Sequence, residues 1–397
     1  MGPVSRLRGV LIGSALGLLA AGCASFPEQP GPAGWSAAQQ LTPQAGPVPE
    51  LPGELPKGPA QGQQPGQQPT PVPPPQGCKD FNPAVVGTCL NPISGVALTD
   101  VNQTTGAVTA LAAERATGRL LRVTKDVDPV EVAKLDVDAA TDGGLTGLTL
   151  SPTYGEDQLV FVYVTTATDN RVLRLAPDDV PKPVLTGIPK GPTGNRGVLA
   201  YDRTGALLVA TGDAGNPAAA ADPNSLAGKV LRIDATGQPA RGNPTAGSRV
   251  LASGLKSPGG LCVSGDGTKT WVTDAGATAD LLYRVEPGRA LGDPAWSWPE
   301  RPGVAGCAAF SNAVMVTASA TPGVLSLPMN PDGSFTGKPE PSMTGDDGFG
   351  RLGPLLMLDD TTALSGTVNK NAGGAPVSSD DRVVIIVRPG GPVPGKD

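Results

Sequence analysis

The 397-residue sequence predicts an all-β chain folded as a six-bladed β-propeller of four-stranded antiparallel blades, and three observations carry that reading. A unit of roughly fifty residues recurs, each copy running apolar stretch, turn, apolar stretch, loop and closing strand, which is the size of a propeller blade. Glycine and proline are dense, 55 and 44 residues, a level that fits a turn-rich β protein once its low-complexity part is set aside. Stretches of helical period are too short to count, Val130 to Leu135 included. A large β-sandwich or a pair of β domains is the alternative, and the regular spacing favours the repeat.

Taken in order, residues 1–22 read as a signal peptide. Arg6 and Arg8 precede an apolar run from Val10 to Ala21, and Ala20-Ala21-Gly22-Cys23 closes it, too short for a permanent span. The ending resembles a lipobox, with Leu19 one place earlier than usual, so lipidation at Cys23 is expected. An ordinary secretory signal with a chance cysteine is the blander reading. Residues 23–77 form a Pro/Gln/Gly-rich linker with 15 prolines between Ala24 and Gly77. Such a segment buries too little apolar surface to offset its ordering entropy and is expected as a disordered, extended tether. Residues 78–390 carry the repeats and residues 391–397 a disordered tail.

The first unit contains Val108 to Thr124. The second runs from Gly143 to Leu175, with alternation at Val160, Val162 and Val164. The third, Gly197 to Asp234, is the clearest: strand, turn at Arg203-Thr204-Gly205, strand from Ala206 to Thr211, loop, and closing strand from Lys229 to Ile233. The fourth begins at Gly259-Gly260, small residues that let inner strands crowd an axis, and closes from Leu281. The fifth spans Gly303 to Asn330. The sixth spans Gly350 to Lys370 and finishes from Asp381.

Apart from Cys23 there are four cysteines, for which three pairings exist. Cys78 with Cys89 would close a short loop at the domain entrance, and Cys262 with Cys307 would join neighbouring repeats; this pairing is preferred. Net charge is −6, with no basic stripe and only four Tyr, four Trp and six Phe, which argues against nucleic acid. Membrane attachment would therefore rest on the lipid, at the outer face of the cytoplasmic membrane. A monomer is expected.

Several segments resemble the glucose/sorbosone dehydrogenase family, soluble quinoprotein propellers that use pyrroloquinoline quinone and calcium. Glu114-Arg115 with Gly118-Arg119-Leu120, and Gly143-Gly144-Leu145 through Leu150-Ser151-Pro152, are similar to its first two blades. Gly212-Asp213-Ala214-Gly215-Asn216 and Asn224 through Ile233 match its third almost residue for residue. Trp298-Pro299 and Gly350-Arg351 are weaker echoes. With the lipobox and tether, the whole also resembles mycobacterial envelope lipoproteins.

The resemblance implies an axial site, and the chain departs from it there. A sugar dehydrogenase needs a base within reach of the substrate hydroxyl. Gly194 stands where the family has its histidine, followed by Asn195 and Arg196, and the chain has no histidine at all. Lys256 replaces an arginine that contacts the quinone, and Asp274 stands where the family often has Glu-His-Gly. The expectation is a propeller without the imidazole base, binding a small ligand, a glycan or an envelope protein. Arg196, Asn216, Lys256, Asp274 and Arg351 are the candidate ligand-binding residues. The alternatives are a quinone-dependent sugar dehydrogenase with a carboxylate base, Asp213 or Asp142, and a structural scaffold. Acidic residues in such loops more often cap turns.

Pyrroloquinoline quinone and calcium are implied by the resemblance alone. Asp136, Asp138 and Asp142 look like a calcium loop, but their spacing breaks the EF-hand pattern and no closing glutamate follows. Asp346-Asp347 and Asp359-Asp360 read as turn residues. Trp296 and Trp298 would serve as a sugar-stacking platform or, more commonly, pack between blades. No GxSxG, Walker or GxGxxG motif occurs, and a Ser-His-Asp triad cannot exist without histidine.

Overall fold

The computed structural model describes residues 72–346 and 348–388. The signal peptide, Cys23, most of the linker, Asp347 and the tail lie outside them.

Six sheets follow one another as blades. In blade 1, strand Ile93–Val101 pairs with Val108–Glu114, then Arg119–Thr124 and Val127–Lys134, all antiparallel. Blade 2 repeats this with Leu145–Leu150, Val160–Thr165, Asn170–Leu175 and Lys182–Ile188. Blade 3 comprises Gly197–Tyr201, Leu207–Thr211, Lys229–Ile233 and Val250–Ser253, to which Arg289–Ala290 adds a short parallel fifth strand. Blades 4 and 5 start at Pro258–Val263 and Val304–Ala309. Blade 6 takes Leu352–Met357, Thr362–Thr367 and Val383–Val387 from the end of the chain, and its outer strand, Val85–Gly87, from the beginning. The sixth unit therefore has no fourth strand of its own, a feature the repeat count does not reveal. The stretch at Val130 to Leu135 falls in the outer strand of blade 1 and its end.

Local chemistry repeats with the blades. At the hairpin from Asp202 to Ala206, the Asp202 carboxylate accepts the amides of Thr204 and Ala206 at 2.8 and 2.9 Å. Asp266, Asp332 and Asp359 do the same at 3.0, 2.8 and 2.7 Å for Thr268, Ser334 and Thr361. An aspartate bonding its own turn in this way fixes the hairpin without needing tertiary contacts. Hydroxyl bonds from Ser264 and Ser334, with the amide bonds beside them, favour the ionised form and hold the Asp266 and Asp332 carboxyls below the ordinary range.

The core lies between the blades. Trp271, Trp298, Val314 and Leu327 pack around the Cys262–Cys307 disulfide between blades 4 and 5, with Trp296 against them. Trp298 is thus a packing residue, and the two indoles meet edge-on at 6.5 Å. Both expected disulfides form, with Cα separations of 5.4 Å for Cys78–Cys89 and 5.6 Å for Cys262–Cys307. Hydroxyls stitch neighbouring inner strands. Ser94 donates to the Leu145 carbonyl, Thr273 to Ala305 and Thr317 to Gly353, each at 2.5 Å. The inner strands approach so closely that a Cβ on Gly260 would meet the Ala305 oxygen and the Cys307 amide at 2.5 Å, which is why glycine stands there.

Candidate functional site

At the end of the ring where the inner strands begin, the loops before blades 3 and 4 meet. Asp142, just before blade 2, accepts the amide of Gly194 at 2.9 Å and that of Asn195 at 3.2 Å. Asn195, 1% exposed, is the hub. Its side chain donates to Asp142 at 3.2 Å and to the Gly191 carbonyl at 2.8 Å, and accepts the Gly191 amide at 2.9 Å. The sequence signal for Asn195 was only its position after Gly194, and it was not among the candidate residues.

Gly194 has φ +67°, and a Cβ there would sit 3.0 Å from the Ala214 amide nitrogen, 3.1 Å from that of Gly215, and closer still to an Asp213 carboxylate oxygen. The left-handed backbone and the crowding both exclude a histidine from this loop as folded. Asp213 fills the space. It is 3% exposed, accepts the Gly215 amide at 2.8 Å, and its own amide donates to the Lys256 carbonyl at 2.9 Å. Its carboxylate caps a turn.

From Lys256 the network passes to Asp274, 2% exposed, which accepts the amides of Lys256 at 3.0 Å and Ser257 at 2.6 Å. Burial pushes the Asp274 carboxyl up to about 6, against those two amide bonds, and the Asp213 charge pushes the same way. A carboxyl with a raised folded pKa binds more protons in the native state between about 4 and 6. Its contribution to stability is present below pH ~4 and is lost as pH rises through ~6. In Asp274→Asn, an amide that keeps the acceptor oxygen, that slope disappears. Between pH 4 and 7 the variant should gain roughly 2–3 kcal/mol relative to the parent, read by denaturant unfolding across pH. A difference that stays flat would contradict it.

Arg196 projects from the loop before blade 3, partly buried. Burial pulls its guanidinium below the ordinary range, Asp142 opposes that, Arg115 reinforces it, and Asp274 and Asp280 oppose it. Among the described residues neither the Arg196 guanidinium nor the Lys256 ammonium has a hydrogen-bond or ion-pair partner. Arg115 is tied to the carbonyls of Thr141 and Gly143 at 3.0 and 2.7 Å. Asp280, which the motifs did not flag, accepts the amides of Gly303 and Val304 at 2.6 and 3.0 Å.

The candidates therefore divide. Asp142, Arg196, Asp213, Lys256 and Asp274 belong to one network across the loops of blades 2 to 4. Asn216 stands apart, exposed, as N-cap of the short helix Pro217–Ala221, accepting the Ala218 and Ala219 amides at 3.2 and 3.4 Å. Arg351 is spent in blade 6, donating to the Ala372 carbonyl at 3.0 Å. Asp138 is paired with Lys190. Among the described residues no three acidic, cysteine or histidine side chains gather to hold a metal ion.

The arrangement thus combines two free cations with buried carboxylates committed to backbone amides. It can hold an anionic or hydrogen-bonding ligand, and it contains no imidazole.

The family model for Glucose / Sorbosone dehydrogenase matches residues 101–309. Aldose sugar dehydrogenase YliI of Escherichia coli K12 is 26% identical over 182 residues, 41% of this chain and 49% of the relative, so the chain spans about half that relative's length. The PQQ-bound aldose sugar dehydrogenase of Streptomyces coelicolor superposes with a TM-score of 0.70 and 26% identity, over 80% of this chain and 100% of that one. The apo aldose sugar dehydrogenase structure from Escherichia coli gives 0.63 and 18%, over 77% and 99%, a likeness of fold.

Proposed function

The chain belongs to the glucose/sorbosone dehydrogenase family, and from that premise we propose that it is a dehydrogenase-type propeller that binds a small ligand at its axial mouth and has lost the family's imidazole-based chemistry. The observation that carries this reading is Gly194: left-handed, enclosed by the loop of Asp213 to Gly215, in a chain without histidine. Hydride transfer from a sugar carbon needs a proton acceptor beside the reacting hydroxyl, and no imidazole stands there.

The mouth nonetheless fits the anionic groups of the family's quinone. Arg196 and Lys256 are cations without a partner among the described residues, and their charges face Asp142 and Asp274 only through space. They would hold carboxylates of the bound cofactor, which when present accepts hydride. Among the described residues no side-chain cage for calcium is formed.

A second reading keeps catalysis and assigns the base to a carboxylate. The structure favours Asp274 over Asp213 or Asp142 for that part, because its pKa is raised to about 6 and a base is best poised near the working pH. Its near-complete burial and two amide bonds weigh against it.

Calorimetric titration with pyrroloquinoline quinone, with and without calcium, followed by dye-linked oxidation of aldoses, separates the two. The expected result is binding that weakens in Arg196→Ala, with no sugar-dependent dye reduction above the Asp274→Asn background. Turnover that Asp274→Asn abolishes would replace the first reading with the second.

The same proposal includes export and anchoring through a lipid on Cys23, so that the propeller stands off the outer face of the cytoplasmic membrane. Among the described residues no helix is long and apolar enough to cross a membrane. Cys23→Ala should move the protein from the membrane pellet to the soluble fraction; retention in the pellet would remove the lipid from the account.

A further inference from the structure

A cavity runs along the axis, lined by the inner strands and by the turn at Asp202 to Gly205 beyond the end of one of them. Its volume is about 620 Å³, within the roughly 300–1,000 Å³ range of small-molecule pockets. All six inner strands line it, and none of Asp142, Arg196, Lys256 or Asp274 does. Neighbouring inner strands pack closely around it: Gly260 meets blade 5, and a Cβ on Gly353 would lie 2.7 Å from the Ile93 oxygen.

One level further along, each blade contributes an aliphatic residue: Leu98, Leu150, Ala200, Val263, Ala309 and Leu356. Five of them remain only partly buried although they pack against the cores between blades. Two of the four hydroxyls in the lining are committed: Ser94 donates to Leu145 and Thr146 accepts the Gly197 amide at 3.1 Å, while Thr149 and Tyr201 add two polar points to the wall. The partly buried aliphatics leave apolar area to be covered, between the edge backbones of the six inner strands. At the open end stand Asp202 and Arg203. Asp202 is taken by Arg232, at 2.7 Å, and by its own turn. Arg203 is exposed, and among the described residues its side chain's only bond is from Nε to the Ser264 carbonyl at 3.4 Å. A neutral well therefore ends at an unpaired cation.

We propose that this axial well is a binding site for a long-chain fatty acid, its aliphatic tail along the ring of inner-strand aliphatics and its carboxylate at Arg203. The well and the candidate site are separate, so the proposal stands or falls independently of what the other mouth binds.

The test uses the purified full-length chain and cis-parinaric acid, a fluorescent C18 fatty acid, displaced by laurate, myristate and palmitate below their micelle concentrations. One saturable site per chain is expected, tightening about fourfold per added methylene until the well is filled. Ala200→Phe, which fills the well, should weaken binding at least tenfold, and Val263→Met serves as a second filler from another blade. Arg203→Ala, an exposed loop change, should weaken the acid about fivefold and leave the matching fatty alcohol unchanged. Absence of saturable binding overturns the proposal. So does binding that is undiminished in a filled-well variant whose melting temperature is normal, since the probe would then sit elsewhere on the chain. Equal loss of acid and alcohol in Arg203→Ala overturns the placement of the carboxylate.

Discussion

Replacing Lys229 by methionine should lower the unfolding free energy of the propeller by about 3–5 kcal/mol. The lysine lies in the closing part of the motif from Asn224 to Ile233, is 0% exposed, and among the described residues has no carboxylate within ion-pair distance. Its ammonium instead donates to three carbonyls, those of Ala219 at 3.0 Å and of Ala220 and Ala227 at 2.7 Å. Two of these end the helix Pro217–Ala221, where the backbone dipole favours a cation. Burial pulls the lysine below its ordinary pKa. Methionine matches the volume and leaves three buried acceptors facing an apolar methyl. Guanidinium unfolding of the two proteins checks the figure, and a loss below ~1 kcal/mol would mean that water reaches those carbonyls.

The second large effect belongs to the closure of the ring. Asp80→Ala should cost about 3 kcal/mol, the low end of what breaking a buried ion pair costs, because Arg382 keeps one of its carboxylates. Asp80 accepts from Ser379 Oγ at 2.7 Å and from Arg382 at 3.2 Å. Arg382 is also bonded to Asp380 at 2.8 Å and lies 5.4 Å from the Phe349 ring centroid. These contacts tie the segment entering Val85–Gly87 to the strand Val383–Val387. Proteolysis should then detach the N-terminal strand first in the variant; cleavage that begins in an interior blade would show that closure is secured elsewhere.

Much of the fold was legible because its determinants are local. The Asp202 turn, the β-branched inner strands and the Asn224 to Ile233 motif announce blade 3 within forty residues, and Lys229–Ile233 falls at its expected bounds. The two disulfides were readable for similar reasons: Cys78–Cys89 closes a loop of 11 residues' separation, and Cys262–Cys307 joins segments that the repeat places side by side. The outer strand of blade 6 was not legible. Val85–Gly87 is three residues long, carries no turn signal of its own, and pairs with a strand some three hundred positions away, at Val384. The helix Pro217–Ala221 escaped because periodicity has no meaning over five residues; the Asn-Pro pair at its start was the available cue.

At the site, the resemblance pointed to the loops of Asp142, Asp213 and Asp274, and the structure adds what their side chains bond. Asp213 stood out by its motif, yet its carboxylate is consumed by a turn. Asp274, read only as a ligand contact, is the carboxyl of this network that burial pushes up. That displacement comes from burial and from the neighbouring Asp213 charge, and neither is visible before the blades are stacked. The crowding at Gly194 was equally hidden, since it depends on how the Asp213 loop lies over it.

The pairing of Val85–Gly87 with Val383–Val387 also sets a timetable. A chain that emerges from its N-terminus must hold its first strand in reserve until the last has been delivered, because blade 6 is incomplete without both. Every partial chain is thus an open arc with two unsatisfied ends, and any truncation before Val387 leaves it so. Joining the ends covalently and reopening the circle between two other blades would relieve that wait, giving a permutant with the same ring and a shorter path to it.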